Sequence, residues 1–98
     1  MKTKQEIITL LKLNKKKMSN FGVSDIGLFG SYAREEQTDN SDIDILIDFN
    51  SENETYDNFI AVYDFLERVF KGVRVEMVTK NGLSPYIGPK ILKEVEYV

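Results

Sequence analysis

The sequence predicts an α/β (α+β) fold in a single domain over residues 1–98, with helices packed on one β-sheet of three or more strands. Short apolar runs, one of which alternates strictly with polar residues, end at glycines or polar turns, as strands do. Between them, apolar residues recur every three or four positions, as on amphipathic helices. A chain of 98 residues has room for one hydrophobic core, and not for two lobes around a cleft. We therefore expect part of any substrate site to come from a partner.

The N-terminal segment is predicted to form a helix followed by a strand. Thr3 and Glu6 are spaced as a capping box, and the apolar face of the helix then runs to Met18. Residues 20–22 end this helix. Residues 23–29 form a short β-like run that stops at a glycine.

The next strand is expected to carry acidic residues on one of its faces. After a Gly30-Ser31 bend, Ser31 is expected to cap a brief helix through about Glu36. Residues 43–49 then have isoleucine at positions 43, 45 and 47, alternating with a second set that is mostly aspartate, which predicts a strand. One face of it holds Ile43, Ile45 and Ile47, and the other holds Asp42, Asp44, Leu46 and Asp48.

The C-terminal half is predicted to be helix, strand and helix. Thr55 caps the first of these helices and Gly72 ends it. Residues 73–79 form a third strand and residues 81–82 a turn. Residues 84–85, a serine and a proline, occupy the N-cap and the first position of the last helix. Its buried side is expected to hold Ile87, Ile91, Leu92 and Val95.

Composition restricts the chemistry that the chain can support. It contains no cysteine and no histidine, so thiolate metal sites, disulfides and imidazole bases are excluded. Catalysis or metal binding must rest on carboxylates, which prefer hard ions such as Mg²⁺ or Mn²⁺. No apolar run approaches the ~20 residues of a membrane span, and the start of the sequence lacks a signal-peptide core. We expect a cytoplasmic protein that does not enter a membrane.

The net charge of −3 is unevenly distributed along the chain. Six of the thirteen Lys and Arg residues lie in the first seventeen positions, where they form either a solvated helix end or a basic contact for a partner. From Glu35 to Glu67 there are eleven acidic residues and no basic one. Because a nucleic-acid groove needs positive potential, we expect no direct binding of nucleic acid.

Asp42 and Asp44 are the strongest candidates for a chemical role. They are two apart on a predicted strand, so their carboxylates project from one face with Cα atoms roughly 6–7 Å apart. Two such charges repel each other unless a divalent cation lies between them. The alternative is structural, with Asp42 capping a turn and Asp44 at a solvated sheet edge. The pair alone does not decide between the two.

A second feature lies upstream of the acid pair, where Gly30 and Ser31 follow a strand and open a helix. Glycine lets a phosphate approach the backbone, and the serine hydroxyl and the first amides of the helix can donate to its oxygens. Arg34, one turn later, can contact the same anion or form an ion pair with a neighbouring acid. A phosphate cradle and a metal-binding acid pair about ten residues apart, on adjoining elements, favour a functional site over two unrelated structural features.

These residues also match a family motif. Residues 30–34 read G-S-Y-A-R and residues 41–44 read S-D-I-D. This resembles the G-S-x-A-R…S-D-x-D signature of the minimal nucleotidyltransferases in the DNA polymerase β superfamily, and the resemblance covers nearly the whole chain. It implies a nucleotidyltransferase fold with a mixed sheet, in which Gly30 and Ser31 grip the β- and γ-phosphates of ATP. Asp42 and Asp44 would then hold Mg²⁺, with two ions expected and Mn²⁺ as a possible substitute.

The resemblance further implies a third carboxylate on the last strand, as a metal ligand and as acceptor of the proton from the attacking hydroxyl. Members of the family usually have aspartate there, whereas this sequence has Glu76. Because glutamate is one methylene longer, either the metal geometry shifts or the third role is weakened. The structural alternative for Glu76 is an exposed acid paired with Arg74 or Lys80.

The function that the resemblance implies is transfer of AMP from ATP to a protein hydroxyl. Minimal nucleotidyltransferases of this length resemble the antitoxins of two-gene toxin–antitoxin pairs, in which the antitoxin adenylylates a tyrosine of a small helical HEPN-type toxin. One alternative is an antitoxin that neutralises its partner by binding only, which Glu76 in place of aspartate would favour. Another is nucleotidyl transfer to a small molecule, although few residues remain to build its pocket. Self-association is left open.

Overall fold

The computed structural model describes residues 2–98 of the chain, and this part forms four α-helices and one four-stranded sheet. In chain order the elements are α1 Lys4–Ser19, β1 Val23–Phe29, α2 Gly30–Ala33, β2 Ile43–Phe49, α3 Tyr56–Val69, β3 Val75–Thr79, α4 Gly88–Glu94 and β4 Glu96–Tyr97. Short 3₁₀ turns lie at Ser51–Asn53 and Lys80–Gly82. Within residues 2–98, no helix is both long enough and apolar enough to span a lipid bilayer.

The sheet is mixed, as expected, and its strands lie in the order β3-β2-β1-β4. β2 is antiparallel to β1 and parallel to β3, while β4 is antiparallel to β1. The C-terminal end of β1 therefore meets the N-terminal ends of β2 and β3 at one end of the sheet. At that end Asp44 lies opposite Phe29 on one side and Glu76 on the other. Strand β4, only two residues long, was not expected from the sequence.

The main hydrophobic core lies on the face of the sheet covered by α1 and α3. Ile43, Ile45 and Ile47 are fully buried there, so the expected division of the two faces of β2 is confirmed. Both hydrogen bonds of the Thr3–Glu6 capping box are present at the start of α1. The opposite face has a smaller apolar cluster under α4, formed by Phe29, Leu46, Ile91, Val78, Leu83 and Val95. Phe29 of this cluster pairs in register with Asp44, so the cluster reaches the acidic end of the sheet.

The last helix begins later than the sequence predicted, at Gly88 instead of Pro85. A helix starting at Pro85 would need the amide of residue 89 to donate to the Pro85 carbonyl, but residue 89 is proline and has no N–H. The chain forms a turn instead, in which the Ser84 hydroxyl accepts hydrogen bonds from the two amides that follow the proline. As a result Ile87 and Leu92 are exposed, and only Ile91 and Val95 of the expected buried side face the small cluster.

Two other boundaries also differ from the prediction. The brief helix α2 ends at Ala33, because Glu35 adopts a positive φ of 59° that no helix continues through. Ser31 lies inside this helix and does not cap it, since the N-cap is Phe29. The third strand starts at Val75 and not at residue 73, after Gly72 has turned the chain with a φ of 91°.

Candidate active site

The predicted acids converge at the end of the sheet where β1, β2 and β3 meet. Asp44 is the second residue of β2 and pairs in register with Glu76, the second residue of β3. Asp42 immediately precedes β2. Asp44 is half-buried, whereas the side chain of Glu76 is exposed. The structure therefore brings all three predicted carboxylates to the same end of one sheet.

The electrostatic state of Asp44 reflects this crowding. Burial raises the pKa of Asp44 to about 7, and repulsion by Glu76, a hydrogen bond with Glu76, and the charges of Asp42 and Glu94 act in the same direction. Among the ion pairs formed by residues 2–98, none includes Asp44 or Glu76. The site thus gathers negative charge around a half-buried carboxyl, an arrangement that a cation would stabilise.

Gly30 packs directly against Asp44. Its φ of 75° lies in the left-handed region that favours glycine. A Cβ atom built on Gly30 would overlap Oδ2 of Asp44 and would lie only 2.8 Å from its Cγ. Glycine is therefore required at position 30 for two reasons: the left-handed backbone conformation, and the space that the Asp44 carboxylate occupies.

Glu94, at the end of α4, binds both ends of the glycine–serine turn, and no pattern in the sequence indicates this role. Its Oε1 accepts a hydrogen bond from the Gly30 amide at 2.9 Å, and its Oε2 accepts one from Nη1 of Arg34 at 3.0 Å. Burial alone would raise the pKa of Glu94, but the bonds from Gly30 and Arg34 outweigh it and hold that pKa below its ordinary value. Glu94 reaches Gly30 because β4, which follows α4 directly, pairs with β1, and this pairing joins parts of the chain that are distant in sequence.

Arg34 forms ion pairs in this structure, but not with an acid of the motif. Its Nε donates to Oε1 of Glu36 at 2.9 Å and its Nη1 to Glu94. Of the two roles expected for Arg34, the ion pair is therefore present, and its partners Glu36 and Glu94 lie outside the motif. The Ser31 hydroxyl makes no hydrogen bond with any residue from 2 to 98, so it can donate to a ligand.

A polar cavity of about 400 Å³ adjoins Asp42. Nε of Arg74 lies 3.8 Å from Oδ2 of Asp42, and the Arg74 side chain is 82% exposed, so this contact is weak. Arg74 therefore approaches Asp42 and not Glu76, the partner expected from sequence. The cavity has the size of a small-molecule site, and its lining is Tyr32, Asp39, Asn40, Ser41, Asp42, Gly72, Val73 and Arg74.

Asp42, Asp44 and Glu76 supply only some of the ligands that a divalent ion needs. Within residues 2–98, no three acidic side chains are close enough together to hold a metal ion by themselves. Mg²⁺ in phosphate-transfer sites is nevertheless held by one or two carboxylates together with waters and the phosphates of the substrate, and does not need an all-protein cage. The unpaired, half-buried Asp44 beside Asp42 fits such a shared site.

Comparisons with known proteins agree with this geometry. The family described as "Nucleotidyltransferase domain" matches residues 7–98. Protein adenylyltransferase MntA of Thermococcus cleftensis is 42% identical over 99 residues, covering 100% of this chain and 98% of the relative. A solved structure of a candidate minimal nucleotidyltransferase has a TM-score of 0.82 at 27% identity, and covers 97% of this chain and 95% of that one. A crystal structure of a toxin–antitoxin with AMP-PNP has a TM-score of 0.64 at 26% identity, and covers 96% of this chain and 70% of that one.

The fold, the motif and these relatives point the same way. The nucleotidyltransferase fold expected from the sequence is confirmed by a solved structure that covers nearly all of both chains. The match to the family spans all but the first six residues, and includes both halves of the motif. The chain therefore belongs to the nucleotidyltransferase domain family, and its full-length similarity places it among the protein adenylyltransferases.

Proposed function

We propose that the chain transfers AMP from ATP to a tyrosine hydroxyl of a cognate, small helical toxin of the HEPN type, and so acts as the antitoxin of the pair. The observation that carries the proposal is the packing of Gly30 against Asp44, next to Asp42 and Glu76, in a chain of the protein adenylyltransferase type. A relative of known structure was solved as a toxin–antitoxin with AMP-PNP, which supports both the nucleotide and the partner. A cytoplasmic setting, where ATP is available, is part of the proposal.

The triphosphate would lie on the turn between β1 and α2. Helix α2 has only four residues, so its dipole is small and individual donors must do the binding. Gly30 lacks a side chain that would block a phosphate, and the Ser31 hydroxyl is available as a donor. Arg34 has five N–H donors, two of which are used by Glu36 and Glu94, and the remaining three can face a phosphate oxygen.

Asp42 and Asp44 would hold Mg²⁺, with Glu76 as the third ligand and with Mn²⁺ able to replace Mg²⁺. The donor set consists only of carboxylates, which suits a hard ion. Burial and the repulsion by neighbouring acids raise the pKa of Asp44, and a bound cation would stabilise the charged form that they disfavour. When bound, the ion neutralises charge that develops on the phosphates during transfer. Two ions are part of this proposal.

The reaction joins the acceptor oxygen to the α-phosphorus of ATP and breaks the bond between that phosphorus and the oxygen leading to the β-phosphate. Pyrophosphate leaves, and the hydroxyl proton passes to a carboxylate or to water. Glu76 is the candidate acceptor of that proton, because its side chain is exposed at the same end of the sheet as Asp44. The chain itself contributes mainly the positions of the two reactants and the charges around them.

A second candidate function is neutralisation of the toxin by binding alone. One observation favours it: the three acids do not close into a metal site within residues 2–98, and Glu76 stands where the family usually has aspartate. In that case nucleotide binding would be dispensable, and loss of the acids would leave the protective effect intact.

One experiment separates the two functions. Purified chain, Mg²⁺ and labelled ATP are incubated with the product of the adjacent reading frame, and the label on each protein is measured. The variant Asp42→Asn with Asp44→Asn should fold, associate with the partner and transfer no label. Asp48→Asn is the matched control, because Asp48 lies on the same strand about 13 Å from Asp44 and should transfer normally. Protection by the double variant in cells that express the toxin would instead support binding alone.

A further inference from the structure

Glu94 links two groups of the phosphate-binding turn with a single carboxylate. One oxygen accepts the Gly30 amide at 2.9 Å and the other accepts Nη1 of Arg34 at 3.0 Å. Gly30 and Arg34 lie at opposite ends of the turn that contains α2, and Glu94 is 64 residues away from Gly30 in sequence. A rigid, planar carboxylate that spans both donors fixes the distance between them.

The carboxylate of Glu94 is itself held firmly. Its side chain is only 19% exposed, and it lies at the C-terminal end of α4, whose Ile91 is buried in the small apolar cluster. Two residues later the chain enters β4, where Glu96 and Tyr97 pair with β1, the strand that runs directly into Gly30. Glu94 and the turn at Gly30 are thus joined through the backbone as well as through the Glu94 side chain, which limits their relative movement.

We propose that Glu94 is a positioning residue for the triphosphate, which keeps Gly30 and Arg34 in the arrangement that the phosphates require. It acts through these two residues and does not touch the substrate. Arg34 keeps three of its five N–H donors for the phosphates, while Glu94 ties its Nη1 to the Gly30 amide through one carboxylate. The inference rests on the proposed function, since it presumes a triphosphate on this turn.

The opposite reading is that Glu94 competes with the triphosphate for the same donors. A competitor would have to leave when the nucleotide binds, and its removal would then strengthen binding. The burial of Glu94 and its double anchoring by α4 and β4 argue for a residue that stays in place. The two readings predict opposite changes in nucleotide affinity.

The test compares Glu94→Ala, Glu94→Gln and Glu36→Gln with the unchanged chain. Glu36→Gln is the matched control, because it weakens the other ion pair of Arg34 without touching Gly30. Hydrogen exchange of the Gly30 amide reports on its hydrogen bond to Glu94. The dissociation constant of AMP-PNP with Mg²⁺ reports on how well the turn is positioned for the triphosphate. Steady-state transfer separates the KM for ATP from kcat and from the KM for the acceptor protein.

In Glu94→Ala the Gly30 amide should exchange at least tenfold faster and the dissociation constant should rise about tenfold, as expected for loss of a charge-assisted hydrogen bond. Glu94→Gln keeps one carbonyl oxygen for Gly30 and should recover part of the affinity, whereas Glu36→Gln should change it little. The KM for the acceptor protein should stay the same.

An unchanged or tighter dissociation constant in both Glu94 variants, with the unchanged chain binding AMP-PNP normally, would overturn the role of Glu94 and leave the proposed function intact. If the unchanged chain does not bind AMP-PNP with Mg²⁺ at all, both proposals are overturned. Should Glu94→Ala fail to fold, the isosteric Glu94→Gln decides by the same two measurements.

Discussion

Replacement of Gly30 by alanine tests whether the space beside Asp44 matters for catalysis. The new Cβ would overlap Oδ2 of Asp44 and lie within 3.1 Å of its Cβ, so the acid must turn out of its place. A shift of this kind at a catalytic group can lower the rate by about 10²-fold. Gly30→Ala should therefore reduce label transfer from ATP by about two orders of magnitude or more.

The effect on stability can be separated by a matched variant. Gly72 also has a positive φ, of 91°, but a Cβ there would meet nothing within 4 Å. Gly72→Ala should therefore cost about 1–2 kcal/mol for the left-handed conformation, reduced by the lower entropy of the unfolded chain. Gly30→Ala should cost the same amount plus about 1–3 kcal/mol for the forced displacement of Asp44.

The assay is urea unfolding of both variants together with labelled transfer by each. Gly72→Ala should transfer AMP at the normal rate, since a Cβ on Gly72 would meet nothing within 4 Å and so would displace no side chain of the site. The reasoning is refuted if Gly30→Ala loses no more stability than Gly72→Ala and still transfers label at a similar rate. That result would mean that Asp44 and Gly30 do not share the space that the structure gives them.

Three other predictions concern the acids and their ion. Because burial and neighbouring acids raise the pKa of Asp44 to about 7 from an ordinary 3.8, its contribution to stability is complete below pH 3.8 and is lost as pH rises through 7. Asp44→Asn should therefore raise the unfolding midpoint at pH 8 in chelator, and not at pH 3.5; an equal shift at both pH values would contradict this. Glu76→Gln should lower transfer by about 10²-fold without lowering the unfolding midpoint, since the side chain is exposed and its loss only relieves repulsion of Asp44, and Glu76→Asp should retain transfer. Normal transfer by Glu76→Gln would remove Glu76 from the mechanism. Mg²⁺ alone should change the free energy of unfolding little, because the acids do not enclose an ion. Mg²⁺ with AMP-PNP at 100 times its dissociation constant should raise the free energy of unfolding by about 2.7 kcal/mol. Equal shifts would show that the metal site is complete without nucleotide.

Much of the sheet could be predicted from local patterns in the sequence. Residues 43–49 alternate so regularly that both the limits of β2 and its two faces were predicted correctly. The same pattern placed Asp42 and Asp44 on the face opposite the core, and Thr3 with Glu6 marked the start of α1. Patterns of this kind succeed because they depend only on residues that are near one another in the chain.

The parts that were missed depend on contacts that are distant in sequence or on hydrogen bonds along the backbone. Glu94 reaches Gly30 only because β4 pairs with β1, and two residues are too few to mark a strand. Arg74 lies beside Asp42 because β3 is parallel to β2, which spacing does not determine. The late start of α4 follows from Pro89, because its missing amide outweighs the favourable N-cap that Ser84 offers.

The central claim is that a divalent ion and a triphosphate meet between the Gly30-Ser31 turn and the acids of β2. The most direct measurement is a crystal structure of the chain with AMP-PNP and Mn²⁺, with the metal located by its anomalous signal. We expect manganese in contact with carboxylate oxygens of Asp42 and Asp44, and phosphate oxygens against Ser31 and Arg34. A well-ordered nucleotide bound elsewhere, with Asp42 and Asp44 directed to different surfaces and no metal between them, would contradict the account.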